Sequence, residues 1–165
     1  MSITLCSQDF ASSEIVLNQP NAGFIFGGNF FEGKLRGVDA SAFVSYCADS
    51  SIRLSTWHME QIWKNLKGLP YLTDEAIEKA SLEFEAIDSE NRDILQVGDL
   101  VIWRSTTSAT GHVVIFKDWI SKNAEIPSFS GVHATRYDDK TKEGILADTF
   151  DLIKPEMNTF ILRRK

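Results

Sequence analysis

The apolar residues of this chain change their spacing at the segment "QVGDL", Gln96 to Leu100, and no other feature constrains the fold as tightly. Upstream the spacing is helical. Met59, Ile62, Trp63 and Leu66 fall on one face at i, i+3, i+4 and i+7, followed by Gly68 and Pro70 as a stop. Ala40, Phe43, Val44 and Cys47 repeat the pattern after Asp39, a good N-cap. A third helix is expected from the capped start Thr73-Asp74-Glu75, with Ile77, Ala80, Phe84 and Ile87 on its inner face. Downstream the residues are β-branched and aromatic. "LVIWR" (100–104) and "HVVIFK" (112–117) flank the turn formers "STTSATG", which predicts a hairpin, and further strands are expected near Val132–Tyr137 and Thr159–Arg163. Helices followed by antiparallel strands predict an α+β fold, with N-terminal helices packed on an antiparallel β-sheet.

The length, 165 residues, fits one domain spanning 1–165, and no repeat or low-complexity linker divides it. The net charge of −6 and the scatter of the 17 Lys and Arg leave no basic stripe for nucleic acid. The start "MSITLCSQDF" lacks the charged and apolar regions of a signal peptide, and no apolar run is long enough to span a membrane. Cys6 and Cys47 show neither disulfide-framework nor zinc spacing, so no metal is expected.

Two motifs bear on chemistry. In "GGNFFEGKL", Gly28, Gly33 and Lys34 fit GxxxxGK, but Leu35 stands where a Ser or Thr hydroxyl would hold magnesium, so nucleotide binding is rejected. Taken in order, "FIFGGNFFEGKLRGVDASAFV", "LQVGDLVIW" and "GHVVIF" resemble the NlpC-type cell-wall peptidases, a papain-like cysteine hydrolase family. The resemblance covers roughly Phe24 to Phe116 and implies a papain-like arrangement, with a catalytic helix against the sheet.

Within that resemblance Ala40 occupies the position of the nucleophilic cysteine. A thiol there would sit at the first turn of a helix, where the macrodipole and unpaired N–H groups favour thiolate. The rest of the motif is intact, so Ala40 reads as a cysteine-to-alanine replacement that inactivates a hydrolase. A natural pseudoenzyme is the alternative. His112, after Gly111 at the start of an apolar strand, is the candidate base that takes the thiol proton. His133, in "GVHATRY", is the candidate that orients it. The separation of the two exceeds that of a tight hairpin, so "DWISKNAEIPSFSG" is expected to be an inserted loop, with Asn123, Glu125 and Ser128 as substitutes for His133. Asp39 and Ser41 flank position 40 and, by the resemblance, hold the substrate's peptide stem. Phe24 stands where many members have a tyrosine, and Trp57, in "RLSTWHM", matches a substrate-side segment.

The resemblance thus implies a peptidoglycan stem-peptide endopeptidase or amidase that needs no cofactor, its thiol missing in this chain. A related thiol acyltransferase or deamidase, or a non-catalytic binding module, is the alternative. The expected setting is synthesis in a bacterial cytoplasm without a signal peptide, followed by export through a non-Sec route or release by lysis. A phage lysin or delivered toxin fits that setting, and a delivered toxin would have an immunity protein as partner.

Overall fold

In the computed structural model, which describes residues 54–90, 92–135 and 144–165, the alternation of apolar residues along the C-terminal strands gives a sheet with two buried faces. The chain forms α1 (Thr56–Leu66), α2 (Glu75–Ser81), β1 (Phe84–Ile87), a 3-10 turn (Arg92–Ile94), β2 (Leu100–Ser105), β3 (Gly111–Ser121), β4 (Ser128–Thr135), β5 (Gly144–Asp151) and β6 (Met157–Arg164). The six strands make one antiparallel sheet in the order β1-β6-β2-β3-β4-β5. Among the described residues, two helices and this sheet define a mixed α and β fold.

Alternation decides which residues meet. Leu100 and Ile102 of β2, Val113 and Ile115 of β3, and Phe160 and Leu162 of β6 face the helices, where Met59 and Ile62 of α1 and Ile77 and Ala80 of α2 cover them. Their neighbours Val101, Trp103, Val114, Phe116 and Ile161 point to the other face and pack with Phe129 and Leu152. Successive residues of β2 and β3 therefore serve two separate cores.

Both helices are capped as their sequences dictate. The Ser55 hydroxyl accepts from the backbone N–H of His58 at 3.2 Å while the Ser55 N–H donates to His58 Nδ1 at 3.1 Å, a capping box with histidine in the usual Glu or Gln position. Asp74 caps α2 by accepting from the Ile77 N–H at 2.8 Å.

Three expectations are corrected. The helix begun near Thr73 ends at Ser81 rather than reaching Ile87, because Phe84–Ile87 pairs with Ile161–Arg164 of β6. The segment 118–131 is not an inserted loop. It is the distal half of a long β3–β4 hairpin, twisted by irregularities between Phe116 and Asp118 and between Trp119 and Ser121. Strand β5 was not anticipated, and it forms the edge of the sheet beside β4.

The "VGDL" turn is fixed by a buried charge. Gly98 adopts φ +98°, open to glycine at little cost, and lets the next residue turn inward. Asp99, 1% exposed, then accepts from the Gln96 N–H and from both the Nε and an Nη of Arg163, each at 2.8 Å. This bidentate contact ties the start of β2 to β6 and holds the guanidinium pKa above its ordinary value. Removing one partner strands the other charge, so Asp99→Ala is expected to cost about 3 kcal/mol. The check is the midpoint of urea denaturation at unchanged slope.

Candidate active site

The β2–β3 hairpin brings the first candidate into place. At Gly111 an added Cβ would lie 2.6 Å from the Trp103 carbonyl and 2.7 Å from the Thr56 hydroxyl, so only glycine admits the start of α1 this close to the hairpin. Arg104 fastens that junction, donating from one Nη to the Thr56 hydroxyl at 3.1 Å and to the Ala109 carbonyl at 3.0 Å. Glu60 Oε2 stands 3.5 Å from its Nε. The glycine ahead of the histidine thus has a steric reason.

His112, next along β3, lies opposite Trp103 of β2, with the two rings nearly parallel at 7° and centroids 6.4 Å apart. Ile115 pairs with Val132, so His133 of β4 is the diagonal neighbour of His112 on the same sheet face. The imidazoles meet there, His112 Nε2 to His133 Nδ1 at 2.8 Å, rings edge-on at 77°. The candidate base and its candidate orienter are therefore in direct hydrogen-bond contact.

Three further groups set the proton chemistry. Phe150 of β5 packs edge-on against His133 at 4.7 Å and helps to bury it to 3% exposure. Asp148, also on β5, places Oδ2 3.7 Å from His133 Nε2, beyond hydrogen-bond range but close enough to draw a proton onto that nitrogen. Lys154, in the turn before β6, lies with Nζ 4.1 Å above the centre of the Trp103 ring and 5.8 Å from that of Phe150. Burial, and secondarily the Lys154 charge, push the His133 pKa down to about 4. Asp148 pulls the other way, but one partly exposed carboxylate at 3.7 Å does not offset removal of the ring from water.

His133 is therefore neutral near pH 7. A proton on His133 Nε2, facing Asp148, would make His133 Nδ1 the acceptor from His112 Nε2–H and leave His112 Nδ1 as the unprotonated nitrogen. That is the tautomer a general base requires. Trp103, wholly buried, keeps the platform rigid by donating its indole N–H to the Leu152 carbonyl at 2.9 Å.

The other candidates separate clearly. Trp57 lies on α1 and packs against the helix-side core, across the sheet from the imidazoles. Asn123, Glu125 and Ser128 lie at the far end of the β3–β4 hairpin from His112. His58 is occupied in the α1 cap and stands 3.6 Å from Asp74, joining the starts of the two helices. Ala40, Asp39, Ser41, Phe24, the helix expected from Ala40, the "GGNFFEGKL" segment and both cysteines lie outside the described residues. Sequence reasoning missed Asp148 and Lys154. Among the described residues no group of three potential metal ligands gathers, and no helix is long and apolar enough to cross a membrane. Comparison of the chain with protein-family models, curated proteins and solved structures finds no match.

Two outcomes follow from these contacts. Gly111→Ala forces the α1 start away from the hairpin and is expected to cost about 1–3 kcal/mol, read as a lower denaturation midpoint. The low pKa of His133 also links stability to acid. Its folded value of about 4 lies below the ordinary 6.5, so the unfolded chain binds the proton first. Stability is full above pH 6.5 and falls as pH drops toward 4, by about 3 kcal/mol in all. Urea titrations at pH 7 and 4.5 measure the loss, and His133→Gln should flatten it.

Proposed function

We propose that the chain is the scaffold of a papain-like cysteine peptidase or amidase acting on peptidoglycan stem peptides, with alanine where the parent enzyme has its thiol. The observation that carries this reading is the 2.8 Å contact between His112 Nε2 on β3 and His133 Nδ1 on β4, backed by Asp148 on β5. A base, an orienter and a carboxylate in series are what activation of a thiol requires. In a chain bearing cysteine at position 40, His112 Nδ1 accepts the thiol proton and the thiolate attacks the carbonyl carbon. The imidazolium then protonates the departing amine as the C–N bond breaks. Water, deprotonated by the same nitrogen, hydrolyses the thioester and restores the thiol. His133 holds the ring throughout. No metal or cofactor enters the sequence of steps.

Position 40 also favours a second reading. A chain that holds a wall peptide without cleaving it, a pseudoenzyme, has no need of the thiol. As a hydrolase released by lysis or delivered as a toxin, the parent would act on the wall and, if delivered, would meet an immunity protein in the producing cell.

The discriminating experiment incubates the chain and its Ala40→Cys variant with purified peptidoglycan and identifies released fragments by mass spectrometry. Peptide fragments from the cysteine form alone are expected, and their masses name the bond. In that background His112→Ala should lower the rate by about 10²- to 10⁴-fold, the usual worth of a general base. Binding without cleavage by both forms would move the reading to the pseudoenzyme. Neither binding nor cleavage would remove the wall substrate.

A further inference from the structure

Lys154 is a half-buried cation in a place where cations are costly. Among the described residues its ammonium makes no ion pair or hydrogen bond, and desolvation lowers its pKa. The carboxylate of Asp151, at the end of β5, acts on it, yet the ammonium sits over the indole of Trp103 at 4.1 Å, with Phe150 at 5.8 Å. An aromatic face repays part of the lost hydration and fixes the charge in space. Trp103 is the cross-strand partner of His112, and Phe150 is in ring contact with His133. The cation is therefore held by the same two rings that border the imidazole pair.

The titratable groups that face His133 among the described residues are His112 on β3, Asp148 on β5, and Lys154. The Asp148 carboxylate favours a second proton on His133, which would go to Nδ1, the nitrogen facing His112. That proton has a specific consequence. His133 Nδ1 would become a donor, His112 Nε2 would have to accept, and the His112 proton would move to Nδ1, the nitrogen that must be empty to act as base.

We propose that Lys154, clamped on Trp103, is a positioning residue that fixes the direction of the proton in the His112–His133 pair, keeping His133 Nδ1 an acceptor and His112 Nδ1 unprotonated. The inference concerns proton placement in the chain as it stands, and its consequence for rate rests on the hydrolase reading above. Lys154 touches neither nucleophile nor scissile bond in this scheme. It acts through His133.

Its sign runs opposite to a carboxylate orienter. In the familiar arrangement an acid steadies the imidazolium; here the cation biases the second ring against a charge so that the first ring alone gains the proton. Lys154→Met keeps the length of the side chain and loses its charge, and Lys154→Arg keeps both charge and ring contact. The pair distinguishes electrostatics from packing.

The test is nitrogen-resolved NMR of both histidines in the chain, Lys154→Met and Lys154→Arg, titrated from pH 7.5 to 4. The chain and Lys154→Arg should show His133 neutral until near pH 4 and, at the neutral start of the titration, His112 in its Nε2–H form. In Lys154→Met the His133 titration should move to higher pH, with His112 changing to the Nδ1–H form along the same curve. An unchanged His133 titration in Lys154→Met overturns the inference, as does an equal shift in Lys154→Arg, which would assign the effect to packing. The same substitutions in Ala40→Cys provide the catalytic arm. A matching upward shift of the acid limb of hydrolysis, restored by arginine, supports the positioning role. An acid limb that stays put while His133 moves overturns it. An Ala40→Cys protein inert toward peptidoglycan would overturn the hydrolase reading and leave the NMR result to decide the proton placement.

Discussion

Trp103 is the fixed point from which the candidate site is built. Its side chain is wholly buried on the sheet face away from the helices, and its one polar atom is satisfied by the Leu152 carbonyl. That hydrogen bond draws the β5–β6 turn across the indole, which sets Lys154 above the ring and Phe150 beside it. His112 lies across the strand from the same indole. A smaller residue would release the turn, the cation and the first imidazole together.

The chemistry grows from this packing because burial and charge act on the two histidines unequally. His112 is partly exposed, whereas His133 is enclosed by Phe150 and feels Lys154. Two identical side chains thus acquire different affinities for a proton, and the hydrogen bond between them gains a direction. Asp148 supplies the opposite bias at the far nitrogen, so the pair is held between a carboxylate and an ammonium.

Much of this was legible in the residues, for identifiable reasons. The β2–β3 hairpin and β6 carry dense β-branched and aromatic runs, and α1 carries four apolar residues with a glycine stop. His112 stood out because it follows a glycine at the head of such a run, and the structure gives that glycine a steric function. Phe84 and Ile87 misled because a four-residue strand can fall on helical spacing, and only the pairing with Ile161 and Leu162 decides between the two. β5, "GILADTFD", is weak in β formers, its glycine, alanine and aspartates being tolerated through pairing with β4. Asp148 was hidden along with it. Lys154 had no local signal at all, since its partner Trp103 is fifty-one residues away and the contact exists only after folding.

The two-sided sheet makes the site a gauge of its own register. In β3 His112 precedes Val113, and the two point to opposite faces. A shift of β3 by one residue against β2 would carry the imidazole under α1, drive Val113 toward the indole and exchange the two cores residue for residue. No partly correct alignment preserves the histidine pair. Any folding error that survives in these central strands would thus erase the chemistry before it loosened the packing enough to be noticed.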